Sequence, residues 1–140
     1  MSAFEVAPIC YGLYILDKKR ILLIEPPFYR LYHDNYSLRK FPLAQGYLSG
    51  AILKNTDWDV RAYNADFNTH SSINVDTEYL AGKGYYRYIE TLSNSSAPIW
   101  TEVENTIREY SPSVVGIGAK SQFFTSACLV AKITKMVSQD

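Results

Sequence analysis

Arg20-Ile21-Leu22-Leu23-Ile24-Glu25-Pro26-Pro27-Phe28-Tyr29 decides the fold. The apolar run 21–24 is too short for a typical helix and is β-branched at both ends, so it reads as a buried strand. Two prolines stop it. Proline has no backbone N–H and a fixed φ, so it cannot continue a central strand. The chain therefore leaves a sheet at Glu25 and enters a shaped loop carrying Phe28, Tyr29, Tyr32 and Tyr36. Ligands of open α/β sheets bind outside such strand C-terminal ends.

Downstream, Pro42 suits the first position of a helix. Leu43, Gly46, Tyr47, Gly50 and Ala51 share one face of it, expected to turn inward. Gly46 and Gly50 are one turn apart and are expected to let the helix lie close on the sheet, offsetting a propensity cost of about 1 kcal/mol each. A short second strand follows over about 59–63. The stretch 66–98 is polar, with a weak helix expected within 77–92, broken around Gly82 and Gly84. Connections of that length are functional or partly mobile. Trp100, Val103, Ile107 and Tyr110 recur at spacings of three, four and three, which predicts an amphipathic helix over Pro98–Tyr110. A third strand is expected over 113–118, and a last helix over 125–138 with Ala127, Val130, Ile133 and Val137 inward.

Strands alternating with helices imply a parallel sheet with right-handed crossovers. The expected fold class is α/β: a flavodoxin-like (Rossmann-like) open parallel sheet in three layers, truncated after the third strand and helix. In the common strand order 2-1-3, strand three then lies at an unpaired edge. Residues 1–19 form an N-terminal arm or an extra strand. Residues 20–140 form the domain, with the long insert at about 66–98.

The 140 residues suffice for one domain with a real core. Fourteen Lys and Arg balance fourteen Asp and Glu, so no basic excess draws the chain to nucleic acid. No apolar stretch approaches the roughly 20 residues of a membrane span, and no secretory leader pattern stands at the start. Cys10 and Cys128 form no CxxC; two lone cysteines suit a reducing cytoplasm. Twelve tyrosines are many for this length. Their apolar faces and hydroxyls suit ligand walls and interfaces, or half-buried helix and strand edges, and the latter reading leads for most of them.

Absent motifs narrow the chemistry. The chain has no GxxxxGK[ST], no GxSxG and no HExxH. Gly116-Ile-Gly118 lacks the third glycine of a dinucleotide fingerprint and follows the third strand rather than the first. His33 and His70 have no ligand-spaced partners, so each reads as a solvated loop residue and no metal ligand is named. There is no CxxxCxxC.

Five segments together resemble the N-terminal cobalamin (B12)-binding domain of B12-dependent radical S-adenosylmethionine enzymes. They are Ile21-Leu-Leu-Ile-Glu-Pro-Pro-Phe28, Phe41-Pro-Leu-Ala-Gln-Gly-Tyr-Leu48, Val60-Arg-Ala-Tyr-Asn-Ala-Asp66, Trp100-Thr-Glu-Val103 and Tyr110-Ser-Pro-Ser-Val-Val-Gly-Ile117. The likeness runs from about Arg20 to the end. It implies a corrinoid held over the strand C-terminal ends. The Asp-x-His-x-x-Gly of the family's cobalt-ligating members is replaced by Glu-Pro-Pro-Phe-Tyr-Arg, which puts a protein ligand to cobalt in doubt. The resemblance implies a cofactor lining of Pro27, Phe28, Tyr29 and Arg30 in the first loop, Asp66 after strand two, and Lys120, Ser121 and Gln122 after strand three. It also implies a downstream domain of the same polypeptide carrying an iron–sulfur cluster and S-adenosylmethionine. With strands four and five absent, this segment alone is expected to bind cobalamin weakly or not at all.

Each residue also has a plainer reading. The prolines end a strand, Phe28 to Arg30 pack a loop, Asp66 makes a turn, and Ser121 or Thr125 caps the last helix. Lys120 meets water. Trp100 is a core anchor. No catalytic residue is assigned in this segment. Two other functions remain: a non-catalytic interaction or oligomerisation domain, a homodimer through the exposed strand edge among them, and a different nucleotide or flavin binder. The last ranks third because no glycine-rich phosphate loop follows strand one.

Overall fold

The middle strand of the sheet is β1 (Arg20–Glu25), with β2 (Asp59–Asn64) on one side and β3 (Val114–Ile117) on the other. Both pairings are parallel, with Ile21 opposite Val60 and Val114. The computed structural model describes residues 18–38, 40–71 and 75–138. The arm expected over 1–19 lies outside them up to residue 17. Among the described residues no strand pairs with the outer side of β3, as the order 2-1-3 requires.

Helices cover the two faces. α2 (Leu43–Asn55) packs on β1 and β2, while α5 (Pro98–Tyr110) and α6 (Phe124–Val137) pack on each other and on the opposite face. Side chains alternate along a strand. Leu22 and Ile24, both 0% exposed, therefore point to one face, where they join Val103, Ile107, Val130 and Ile133 in the core. Trp100 anchors α5 within it and donates its indole N–H to the Thr91 carbonyl at 2.9 Å. Leu23 and Glu25 point to the α2 face. Burying Leu22, Leu23 and Ile24 stabilises the fold by ~1.5–3 kcal/mol each.

α5 and α6 match their expected bounds and inward faces. Ser111, with φ 48°, ends α5 in the left-handed region, and Pro112 keeps the helix from resuming. α2 departs from expectation. Leu43 is 72% exposed and Tyr47 81%, whereas Gln45 is buried. The helix is apolar around most of its circumference, so periodicity carried no information about which face turns inward. The two glycines do not bring it close to the sheet. A Cβ on Gly46 would meet the Phe41 ring at 2.8 Å, and one on Gly50 would meet nothing within 4 Å.

The insert is more ordered than its composition suggests. α3 (Thr77–Ala81) is capped by Asp76, which accepts from the Glu78 and Tyr79 N–H groups. α4 (Lys83–Ser93) follows after a break at Gly82, while Gly84 sits buried inside α4 under Tyr79. α4 packs against α1 (Tyr29–Tyr32), a single helical turn in what reads as loop. No described helix is long and apolar enough to cross a membrane.

Leu22→Ala is expected to cost ~2–5 kcal/mol in urea unfolding, because the residue is fully enclosed in the central strand. A cost below about 1 kcal/mol would show that β1 is not the axis of the core.

Candidate functional site

The first loop is built by elimination of donors. Pro26 and Pro27 have no N–H, so the first donor after Glu25 is Phe28. Its N–H reaches the Asp66 Oδ1 at 2.7 Å, and that of Arg30 reaches the same oxygen at 3.2 Å. Asp66 follows β2, so one carboxylate ties the exit of β2 to the exit of β1. Asp66 is 4% exposed. Burial pushes its pKa up, and the N–H groups of Phe28, Arg30 and Tyr29 and the Arg30 charge pull the other way without cancelling the shift.

Around this brace the loop packs inward. Pro26 and Pro27 are fully buried, and the Pro27 carbonyl accepts from the Ser126 hydroxyl of α6 at 2.7 Å. Phe28 meets the Tyr29, Tyr32 and Tyr88 rings edge-on at 5.0, 5.4 and 5.9 Å, and Tyr32 stacks on Tyr88 of α4 at 4.7 Å. The Arg30 guanidinium turns toward α5. It donates to the Ala65 carbonyl and takes the Glu102 carboxylate with two nitrogens at 3.0 and 2.8 Å. The Tyr63 hydroxyl donates to Glu102 at 2.7 Å. Burial first, then Glu102, raises the Tyr63 pKa. Burial opposes the Glu102 charge, but the Arg30 and Tyr63 hydrogen bonds overcome it and hold that carboxyl below its ordinary range.

The cleft lies over the C-terminal ends of the strands. It measures about 350 Å³ and takes in Glu25 of β1, Tyr29, Asn64 of β2, Asp66, and Lys120 and Gln122 after β3, with Leu38, Phe41 and Phe123 as apolar wall. A second hollow of about 370 Å³ adjoins it and shares Lys40, Phe41, Pro42 and Asn64. The Asn64 amide fixes the dividing segment by donating to the Lys40 carbonyl at 3.2 Å. Glu25 is the polar centre of the cleft floor. Its Oε1 accepts from Lys120 Nζ at 2.8 Å, and its Oε2 accepts from Gln45 Nε2 at 2.6 Å.

Of the eight expected lining residues, Tyr29, Asp66, Lys120 and Gln122 come together at this cleft. Pro27, Phe28 and Arg30 are spent on the packing and ion pairs just described. Ser121 is exposed and opens a 3₁₀ turn, Ser121–Phe123. Neither it nor Thr125 caps α6, whose N-cap position is Phe123. Lys120 meets Glu25 rather than water alone, and Asp66 makes more than a turn. Sequence reasoning missed Glu25, Gln45, Asn64 and Phe41. One signal was available: Glu25 shares strand parity with Leu23, which sets a carboxylate on a covered face. His33 Nδ1 accepts from the Asn35 N–H, and no described cluster of His, Cys, Asp and Glu suits a metal ion. No family model, curated protein or solved structure matches the chain.

Because the folded state prefers protonated Asp66, its contribution to stability is full below the ordinary value near 3.8 and is lost as pH rises through the raised value. Asp66→Asn cannot ionise. The stability difference between wild type and this variant, from urea unfolding at stepped pH, is expected to shrink as pH rises through that window. A difference that grows with pH would mean the backbone donors outweigh burial.

Proposed function

We propose that this chain is a cofactor-seating module whose cleft receives a corrinoid, in a polypeptide whose radical S-adenosylmethionine chemistry and iron–sulfur cluster belong to another domain. One observation carries the reading. The exits of β1 and β3, parallel neighbours, converge closely enough for Glu25 and Lys120 to pair at 2.8 Å across the floor of one cleft. That is the location at which parallel α/β sheets hold ligands.

The residues present suit such a group. Tyr29, Leu38 and Phe41 offer flat and aliphatic wall, while Glu25, Asn64 and Gln122 offer partners for peripheral amides. A ring of corrin size covers this cleft and its neighbour rather than entering either. No histidine lines the cleft, so the chain offers cobalt no imidazole there. When bound, the corrinoid supplies a cobalt centre that carries a methyl group or assists a radical rearrangement. The chain's own residues orient the ring and exclude water from one face. A reducing cytoplasm is the compartment we propose; Cys128 is a free, exposed thiol.

A second reading has its own support. Leu43, Tyr47, Leu48 and Leu53 of α2 are exposed, as is Val114 at the β3 edge. Large apolar groups exposed along one helix suit a protein interface.

The complete polypeptide is expected to carry a corrinoid absorbance through gel filtration after incubation with hydroxocobalamin. Tyr29→Ala should weaken retention roughly tenfold by removing an aromatic wall. No retained absorbance at saturating hydroxocobalamin would end the corrinoid reading. For the second reading, sedimentation should show self-association that Leu48→Glu abolishes; a monomer at all concentrations would remove it.

A further inference from the structure

Parallel α/β proteins hold phosphate with two kinds of donor: backbone N–H groups after the first strand, and a nearby cation. Here both kinds are already engaged by the chain's own carboxylates. Asp66 takes the N–H groups of Phe28 and Arg30, and the two prolines before them offer none. Glu25 takes Lys120.

The Glu25 placement is built rather than incidental. Its side chain is 13% exposed, and each carboxylate oxygen has its own partner, Lys120 on one side and Gln45 on the other. The group is held from two directions, so Gln45 restrains it independently of Lys120. Gly118 keeps the space for it, since a Cβ there would come within 2.7 Å of Glu25 Oε2 and 3.1 Å of Gln45 Nε2. Gln45, 4% exposed, turns its amide N–H to Glu25 and leaves its buried Oε1 without a hydrogen-bond partner. Glu25, which lines the cleft, keeps acceptor capacity beyond these two bonds, since an ionised carboxylate has about four lone-pair sites.

We propose that Glu25 is a resident counter-anion that neutralises Lys120 and bars inorganic phosphate and phosphate monoesters, which are dianions, from the cleft floor, favouring groups that donate hydrogen bonds through neutral amides or hydroxyls. This deepens the corrinoid reading and rests on it for the ligand's identity, but not for the exclusion of phosphate. A dianion approaching Lys120 meets the Glu25 charge beside it, and like charges juxtaposed in a partly enclosed site repel. An uncharged amide meets no such penalty and can donate to Glu25.

The test is calorimetric titration of the full chain with inorganic phosphate and, separately, with flavin mononucleotide. A Lys40→Met background removes the exposed rim cation of the same cleft. In that background Lys120→Met should change phosphate affinity by less than about twofold, because Lys120 is already neutralised, whereas Glu25→Gln should raise it about tenfold or more. Combining the two changes should reverse the gain. The proposal is overturned if Lys120→Met abolishes phosphate binding, which would make Lys120 a free receptor. It is equally overturned if Glu25→Gln, folded by circular dichroism, gains no phosphate affinity. Lys120 is largely exposed, so its variant reports even if the Glu25 variant does not fold. Failure of hydroxocobalamin to bind would sink the corrinoid reading alone and leave the phosphate result standing.

Discussion

The Asp66 carboxylate is the constraint on which the site depends. It sits nearly out of water, which by itself costs several kcal/mol for an ion, and it is tolerable because backbone donors converge on it. Those donors exist at that point because the two preceding residues are prolines. With no N–H at Pro26 or Pro27, the loop has no way to pair along β1 and must turn, which brings the Phe28 and Arg30 N–H groups under Asp66. The turn then buries Leu31 and Tyr32 and gives α4 a surface to pack on. Without the carboxylate, these donors would be orphaned at the edge of the core, at about 1–3 kcal/mol each.

The Arg30–Glu102–Tyr63 cluster holds the same loop from the other side. Its fork geometry is favourable, with two nitrogens on one carboxylate. Glu102 is nonetheless two-fifths exposed, so solvent screens the pair and its worth falls toward that of a surface bridge. Its larger effect is directional: it draws the guanidinium away from the cleft and fixes α5 to the exit of β2 through Ala65. Arg30, expected in the cofactor lining, is thereby committed to structure. That leaves Lys120 as the cation in contact with the cleft floor, and Lys120 has its own carboxylate.

Legibility followed the physical signal in each segment. β1, α5 and α6 were readable because each has one buried face or a fully buried run, and hydrophobic period reports burial. The parallel pairing followed from strand–helix alternation, and the order β2-β1-β3 is the start of the common doubly wound arrangement. α2 was misread because its apolar residues surround it, leaving the inward face to be set by the polar Gln45–Glu25 contact, which no hydrophobic pattern encodes. The α1 turn was invisible because a few residues carry no period, and it forms through a contact 38 positions away in sequence. Half of the proposed lining came together at the cleft, since strand ends locate a site. Pro27, Phe28 and Arg30 did not, because contacts with α6, α4 and α5 respectively decide where they point, and Ser121 did not, because it opens an exposed 3₁₀ turn.

The two faces of the sheet are unequal, and the site follows from that inequality. On the α5–α6 face, β1 and β3 present Leu22, Ile24, Val115 and Ile117 to a continuous apolar core. On the α2 face, Gly116 of β3 and Gly118 just beyond it carry no side chain, and a Cβ would come within 2.7 Å of the Leu23 side chain at Gly116 and of the Glu25 side chain at Gly118. The thick face supplies stability. The thin face, which has no side chain from Gly116 or Gly118 after Val114, leaves room at the strand end for a carboxylate, a carboxamide and an ammonium to meet. A valine or isoleucine at position 118 would press on the Glu25 Oε2 and the Gln45 amide that pair there. Gly118 thus leaves volume where these polar groups meet, which ties the glycine pair to the shape of the cleft rather than to backbone conformation, since neither glycine takes a positive φ.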